Sequence, residues 1–220
     1  MKFFRKTTMV VFLVLSMTWF SSCETLKEDQ LPEVLEEEVI DLYVLAGTPT
    51  IVDLMQGINT AEISSIEMVE MPDLGEIENL GTNFSLYTPP VMRTEGQTSF
   101  RWEVSTNDRT LRRRANLIIA SRSSYPISGG PAIYDRGGIL VQGDSLVADI
   151  LLNDLLPSGL NSVASLQIVQ APIAGVAAIT ADQKLSFIAP TDTTGLIDVL
   201  YKLETTEGRS GVAAVRFLVQ

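Results

Sequence analysis

The sequence predicts an all-β protein made of two tandem β-sandwich domains, and three observations carry that expectation. Apolar residues alternate with period two in Phe84-Ser85-Leu86-Tyr87, Phe100-Arg101-Trp102-Glu103-Val104, Leu166-Gln167-Ile168-Val169 and Leu185-Ser186-Phe187, which is the signature of half-buried strands. Glycines and prolines such as Gly57, Gly75, Gly81, Pro89-Pro90, Gly96, Gly159, Gly175 and Gly195 punctuate these runs at about ten-residue intervals, the turn spacing of a sandwich. The chain also repeats itself. Gly47 pairs with Gly143, Met71-Pro72-Asp73-Leu74-Gly75 with Ala171-Pro172-Ile173-Ala174-Gly175, Pro89 with Pro190 and Trp102 with Tyr201, each about 100 residues apart.

Taken in order, residues 1–22 have a secretory layout: basic Lys2, Arg5 and Lys6, the apolar run from Met9 to Leu15, then Ser21 and Ser22. That run falls short of the roughly 20 residues a membrane span needs. Cys23, the single cysteine of the chain, follows directly. The arrangement resembles a bacterial lipobox, with Phe20 in place of the usual Leu, and implies lipid attachment at Cys23 after removal of a lipoprotein signal peptide. Several acyl chains at about 0.8 kcal/mol per methylene anchor a protein durably to a membrane. Lys27, Glu28 and Asp29 resemble the short signal that sends such lipoproteins to the outer face of the outer membrane, so the expected location is the cell exterior.

Residues 23–41 read as an acidic tether. Glu24, Glu28, Asp29, Glu33, Glu36, Glu37, Glu38 and Asp41 face only Lys27, a composition that extends a linker by self-repulsion. The formal charge of −11 becomes −14 once the three basic residues of the signal are gone, with no acidic residue lost. Nucleic acid is therefore an unfavourable partner.

The first sandwich is expected over 42–120, a linker over 121–137 where Ser, Gly and Pro accumulate, and the second sandwich over 138–220. The expected cores use Leu86, Phe100, Trp102 and Val104 in the first, and Phe187, Val199, Tyr201 and Leu203 in the second. Arg109, Arg112, Arg113 and Arg114 are expected at a solvent-facing hairpin tip and edge strand, where arginines discourage sheet-to-sheet aggregation. An anion or lipopolysaccharide contact is the functional alternative for that group.

The second repeat, through Val147-Ala148-Asp149-Ile150-Leu151-Leu152-Asn153-Asp154, Pro172-Ile173-Ala174-Gly175, Leu185 to Pro190 and Tyr201-Lys202-Leu203, resembles the bacterial Ig-like, cadherin-like tandem repeats of surface proteins. The first follows the template less closely, with Asp53-Leu54-Met55-Gln56 at the Asn-Asp position. Many relatives in that group bind Ca²⁺ through carboxylates after the Asn-Asp pair. Here Asn153 and Asp154 are followed by Leu155-Leu156-Pro157-Ser158-Gly159, too few oxygens for a hard cation, so no metal or other cofactor is expected.

Catalysis finds little support. The chain has no His, which removes the usual base near neutral pH and the commonest metal ligand. Gly143-Asp144-Ser145-Leu146 spells the nucleophile block of GDSL esterases, but a serine hydroxyl needs a base to become a nucleophile, and the repeat explains Gly143 as a turn equivalent to Gly47. Lys184 and Lys202 alternate with apolar residues and should face water. Glu67, Glu70, Asp73 and Glu76 gather near a turn as a solvated acidic face.

Two functions of different class follow. One is a non-catalytic, lipid-anchored cell-surface structural or adhesion module, with a surface protein as partner. The other is a glycan-binding accessory lipoprotein of an outer-membrane uptake system, with a polysaccharide as partner and with Tyr125 and Tyr134 as glycan contacts, because they lie in the Gly/Pro/Ser-rich stretch between the repeats. Asp144-Ser145-Leu146 and Asp192-Thr193-Thr194 resemble the O-glycosylation acceptor of exported Bacteroidota proteins, which implies modification at Ser145 and Thr193.

Overall fold

The computed structural model describes residues 37–58, 63–81, 83–126, 128–156 and 159–220. Cys23, Lys27, Glu28, Asp29 and the tether up to residue 36 lie outside the described residues. What is described is all-β, as expected, with a single 3-10 turn at Gly159–Ser162.

Seven strands form the first sandwich: β1 (Glu37–Leu45), β2 (Thr50–Asp53), β3 (Ile63–Glu70), β4 (Glu76–Asn79), β5 (Phe84–Thr88), β6 (Gly96–Thr106) and β7 (Thr110–Ala120). Seven more form the second: β8 (Asp135–Leu140), β9 (Ser145–Ala148), β10 (Val163–Gln170), β11 (Val176–Ile179), β12 (Leu185–Ile188), β13 (Gly195–Thr205) and β14 (Ser210–Val219). The sheets run β1-β7-β6-β3 and β2-β5-β4, then β8-β14-β13-β10 and β9-β12-β11. In both four-stranded sheets the first strand pairs parallel to the last, β1 with β7 and β8 with β14. The repeat seen in sequence is thus a repeat of topology.

Each sandwich closes over its own core. Phe100, Trp102, Val104, Tyr87, Leu54 and Leu117 fill the first. Phe187 stacks on Phe217 at 4.3 Å in the second, beside Tyr201, Val199, Leu203 and Ile150. A positive-φ glycine sets the register in each. Gly75 (φ 81°) and Gly175 (φ 82°) lie so close to the carbonyl oxygens of Thr88 and Ile188 that a Cβ would collide with them, and both backbone angles suit glycine alone. These two contacts make Tyr87, and not Leu86, the counterpart of Phe187.

That one-residue difference corrects the sequence alignment. Matching Phe84-Ser85-Leu86 to Leu185-Ser186-Phe187 puts Leu86 in the first core, but a slip of one residue sends every side chain of a strand to the other face. Leu86 is buried with Ile51, Phe84, Leu200 and Ala214 in a third apolar cluster, where the outer face of β2-β5-β4 docks on the outer face of β10-β13-β14-β8. β5 is consequently buried on both sides. Arg216 joins the two sandwiches through Glu78 (2.9 Å) while held by Asp198 (2.7 Å), and Gln170 Nε2 donates to Leu80 O (2.7 Å).

The repeat also accounts for the arginines. Because Trp102 pairs with Arg113 and Tyr201 with Ala213, the docking residues Leu200, Val212 and Ala214 correspond to Arg101, Arg112 and Arg114 on the equivalent face of the first sandwich. There Arg101 and Arg114 share Glu37 (2.8 and 2.9 Å), Arg101 also meets Glu70 (2.5 Å), and Arg112 meets Glu103 (2.7 Å). The face that receives a neighbour in the second repeat is a charged ladder in the first. β7 is a central strand, not the expected edge.

Arg113 departs further from the expectation of solvent exposure. It points inward, 1% exposed, with its guanidinium 5.6 Å from the Trp102 ring centroid, donating to Leu54 O and Gln56 O and paired with Glu38 (2.9 Å). The tether boundary changes for the same reason. Glu37, Glu38 and Asp41 belong to β1, where Arg101, Arg113, Arg114 and Asn116 meet them. The second sandwich likewise begins inside the expected 121–137 linker, since β8 starts at Asp135.

Candidate functional site

Beside the docked sheets, β1, β2, the connecting segment and the start of β14 enclose a cleft of about 490 Å³, within the size range of ligand sites and at the kind of domain junction where they concentrate. Tyr43 from β1 and Tyr125 from the connector meet edge to face, 6.4 Å between centroids and 70° between planes. The Tyr125 hydroxyl lies 3.3 Å from both Tyr43 O and Gly130 O, and burial raises its pKa. Asp41, Asp53, Gln56 and Lys202 add polar atoms to the lining.

Asp53 is held by its local turn, its Oδ1 accepting from the Met55 N–H at 2.9 Å. Burial raises its pKa, against the opposing pull of that hydrogen bond and of Arg113. Asp41 Oδ1 accepts from Asn116 Nδ2 (2.9 Å), and Lys202 is paired with Glu204 (2.6 Å).

The connector is bolted to the second sandwich by the Asn-Asp pair, at which no metal was expected. Asp154, 7% exposed, accepts from the Ile133 N–H (2.6 Å) and lies 3.2 Å from the Tyr201 hydroxyl, which also reaches Ile133 O (3.1 Å). Burial pushes the Asp154 pKa up to about 7. Asn153 Nδ2 donates to Tyr134 O (3.0 Å), and Arg209 donates to Gly129 O (2.8 Å) and Leu155 O (3.3 Å). The Asn-Asp pair therefore clamps protein backbone. Among the described residues no three His, Cys, Asp or Glu side chains gather to hold a metal ion.

The expected sites are scattered. Tyr125 reaches the cleft, whereas Tyr134 packs, half-buried, against the apolar cluster between the sandwiches, so the two rings form no common platform. Ser145 is exposed at the start of β9, and Thr193 lies half-exposed in the β12–β13 loop with its hydroxyl 3.2 Å from Asp192 Oδ1. Gly143 has φ 81° and Gly47 φ 73°, so the glycine of the esterase-like tetrapeptide is the turn residue its repeat partner implies. Lys184 and Lys202 keep 38% and 33% of their side-chain surface. Tyr43, Asp41 and Asp53 carried no sequence signal, since only docking of the repeats brings β1 and β2 against the connector.

No protein-family model matches the chain, and no curated protein does. Among solved structures it is similar to an endo-fucoidan hydrolase of glycoside hydrolase family 107, with 12% identity over 84% of this chain and a TM-score of 0.31. The chain spans 28% of that protein's length. It is also similar to a SusE-like surface located polysaccharide binding protein from the Bacteroides thetaiotaomicron heparin utilisation locus, with 15% identity, 83% of this chain, 33% of the other and a TM-score of 0.28. A third similarity is to a Bacteroides ovatus mixed-linkage glucan utilization locus protein, SGBP-B, in complex with a heptasaccharide, with 13% identity, 81% of this chain, 42% of the other and a TM-score of 0.20. Likeness this distant says nothing about activity.

Proposed function

We propose that this protein is a non-catalytic, lipid-anchored protein of the outer cell surface that binds a segment of polysaccharide in the cleft between its two sandwiches. The observation that carries the reading is the cleft itself. It is roomy, is bordered by the rings of Tyr43 and Tyr125, and presents carboxylate, amide and ammonium groups, the combination of apolar face and polar rim that suits sugars. The absence of any His from the sequence speaks against a conventional acid–base or nucleophilic mechanism. Retention on a broad panel of immobilised polysaccharides tests the proposal. At least one should retain the full chain, and Tyr43→Ala should weaken retention about tenfold, the effect of losing roughly 1.4 kcal/mol of stacking, with its unfolding midpoint little changed. If no polysaccharide retains the protein, the structural or adhesive reading replaces this one, supported by the docking of the two sandwiches through an apolar cluster.

The anchor is tested separately. Cys23 follows the apolar run directly, so the native protein should carry acyl chains by mass spectrometry, and Cys23→Ala should shift it from the detergent-extracted to the soluble fraction. Unchanged partitioning, together with an acyl-free parent, would remove the lipid from the proposal.

A further inference from the structure

The charges around the cleft narrow the kind of saccharide it can take. Its two carboxylates come from different strands, Asp41 on β1 and Asp53 at the end of β2. The cations near it are already engaged. Lys202 is paired with Glu204 at 2.6 Å. Arg113, below Asp53, is held by Glu38 and by the carbonyls of Leu54 and Gln56. Arg209, behind the connector, is held by the carbonyls of Gly129 and Leu155. A sulfated or uronic saccharide entering here would set anions beside two carboxylates with no uncommitted cation among the described lining residues to receive them, and like charges in a partly desolvated site are a strong means of rejection.

Resting on the polysaccharide reading above, we propose that the cleft excludes anionic glycans and selects chains carrying free amino groups, whose ammonium pairs with Asp53 and Asp41. Asp53 is the better placed of the two. It lines the cleft with its Oδ1 fixed by the Met55 N–H, and its partial burial makes the charged form costly, a cost that Met55 and Arg113 offset only in part and that a further cation would reduce. Asp41, more exposed and tied to Asn116, adds a weaker, screened attraction.

Calorimetric titration of the full chain with chitosan oligosaccharides, neutral glucan oligosaccharides and heparin oligosaccharides, at low and high salt, tests this. Chitosan should bind roughly five-fold tighter than the neutral chain, the scale of one partly exposed ion pair. The advantage should fade with salt, and heparin should not bind. Asp53→Asn should bring chitosan down to the level at which the same variant binds the neutral chain. Asp41→Asn, which leaves the Met55 turn untouched, should do the same to a smaller degree. Heparin binding as tight as that of the neutral chain, or a chitosan preference that survives both substitutions in folded protein, overturns the charge selection while leaving polysaccharide binding in place. Failure of all three, with another glycan from the panel retained, overturns the amino-sugar assignment alone.

Discussion

Trp102→Ala is expected to cost about 3 to 5 kcal/mol in the first sandwich, the range for deleting a large buried aromatic. The side chain is fully buried, packs at 5.3 Å from Phe100 and gives its indole N–H to Leu54 O at 3.0 Å. Its removal also strips the ring from under Arg113, leaving a guanidinium with one face against a void. Trp102→Phe separates these effects. It keeps most of the packing and loses one neutral hydrogen bond, about 1 kcal/mol, and Leu54 O still accepts from Arg113 Nη1 (3.1 Å).

The second sandwich should feel Trp102→Ala only through the docked face. Its core of Phe187, Phe217, Tyr201 and neighbours is separate, and it meets the first through the small cluster of Ile51, Phe84, Leu86, Leu200 and Ala214 and the polar contacts of Arg216 with Glu78 and Gln170 with Leu80. Hydrogen exchange followed by mass spectrometry on the full-length variant reads both halves at once. Peptides from β6 and β7 should lose protection by the full amount, and those from β13 and β14 by the much smaller amount that undocking exposes. Equal loss in all four strands would make the chain one cooperative unit and end the description of two tandem domains.

The sequence makes the general plan legible and hides whatever depends on docking. Period-two alternation locates the core strands because burial of one face imposes it, and Trp102, Phe187, Val199, Tyr201 and Leu203 sit in the cores as that pattern requires. β5 breaks the pattern, because Phe84, Ser85, Leu86 and Tyr87 are all buried. In a strand covered on both faces alternation does not tell which face is the core, so the Phe84 and Leu86 pattern marks the docked face and Leu86 and Tyr87 exchange roles. Glu37 and Glu38 look like tether because their counter-charges, Arg101, Arg113 and Arg114, lie far along the chain. The cleft was half legible. Tyr125 stands out in a breaker-rich stretch, whereas Tyr43 and Asp53 are ordinary strand residues until the two sandwiches meet. Asn153 and Asp154 were visible as the end of a repeat strand, but not their hold on the connector backbone at Ile133 and Tyr134, which are about twenty residues away in sequence.

That carboxyl gives the second large effect, a stability that falls as pH rises. The Asp154 pKa stands at about 7 in the folded chain against the ordinary 3.8, with burial the main cause, only partly offset by the Ile133 N–H and the Tyr201 hydroxyl, and with Asp135 adding repulsion. Folding therefore favours the protonated form. Its contribution is complete below about pH 4, where folded and unfolded chains are both protonated, and drains away between about pH 4 and 7 as only the unfolded chain ionises. Above that both forms are charged and the loss levels off. The geometry agrees, because a protonated Asp154 can donate toward the Tyr201 oxygen while Tyr201 donates to Ile133 O and the Ile133 N–H still reaches Oδ1. Asp154→Asn reproduces that pattern with an amide that cannot ionise. Urea midpoints of parent and variant should coincide near pH 4 and separate steadily, until above pH 7 the variant is the more stable by about 2 to 4 kcal/mol, at 1.36 kcal/mol per pKa unit less some relaxation of the buried charge. The burial-raised pKa values of Asp53 and Asp135 act in the same sense; that of Asp53 is common to both proteins and cancels in the difference, while the Asp135–Asp154 repulsion is lost in the variant and adds to its advantage at high pH. Parallel pH profiles for the two, or a variant that is weaker at every pH, would show that Asp154 works as an anion and that its clamp on the connector draws its strength from charge.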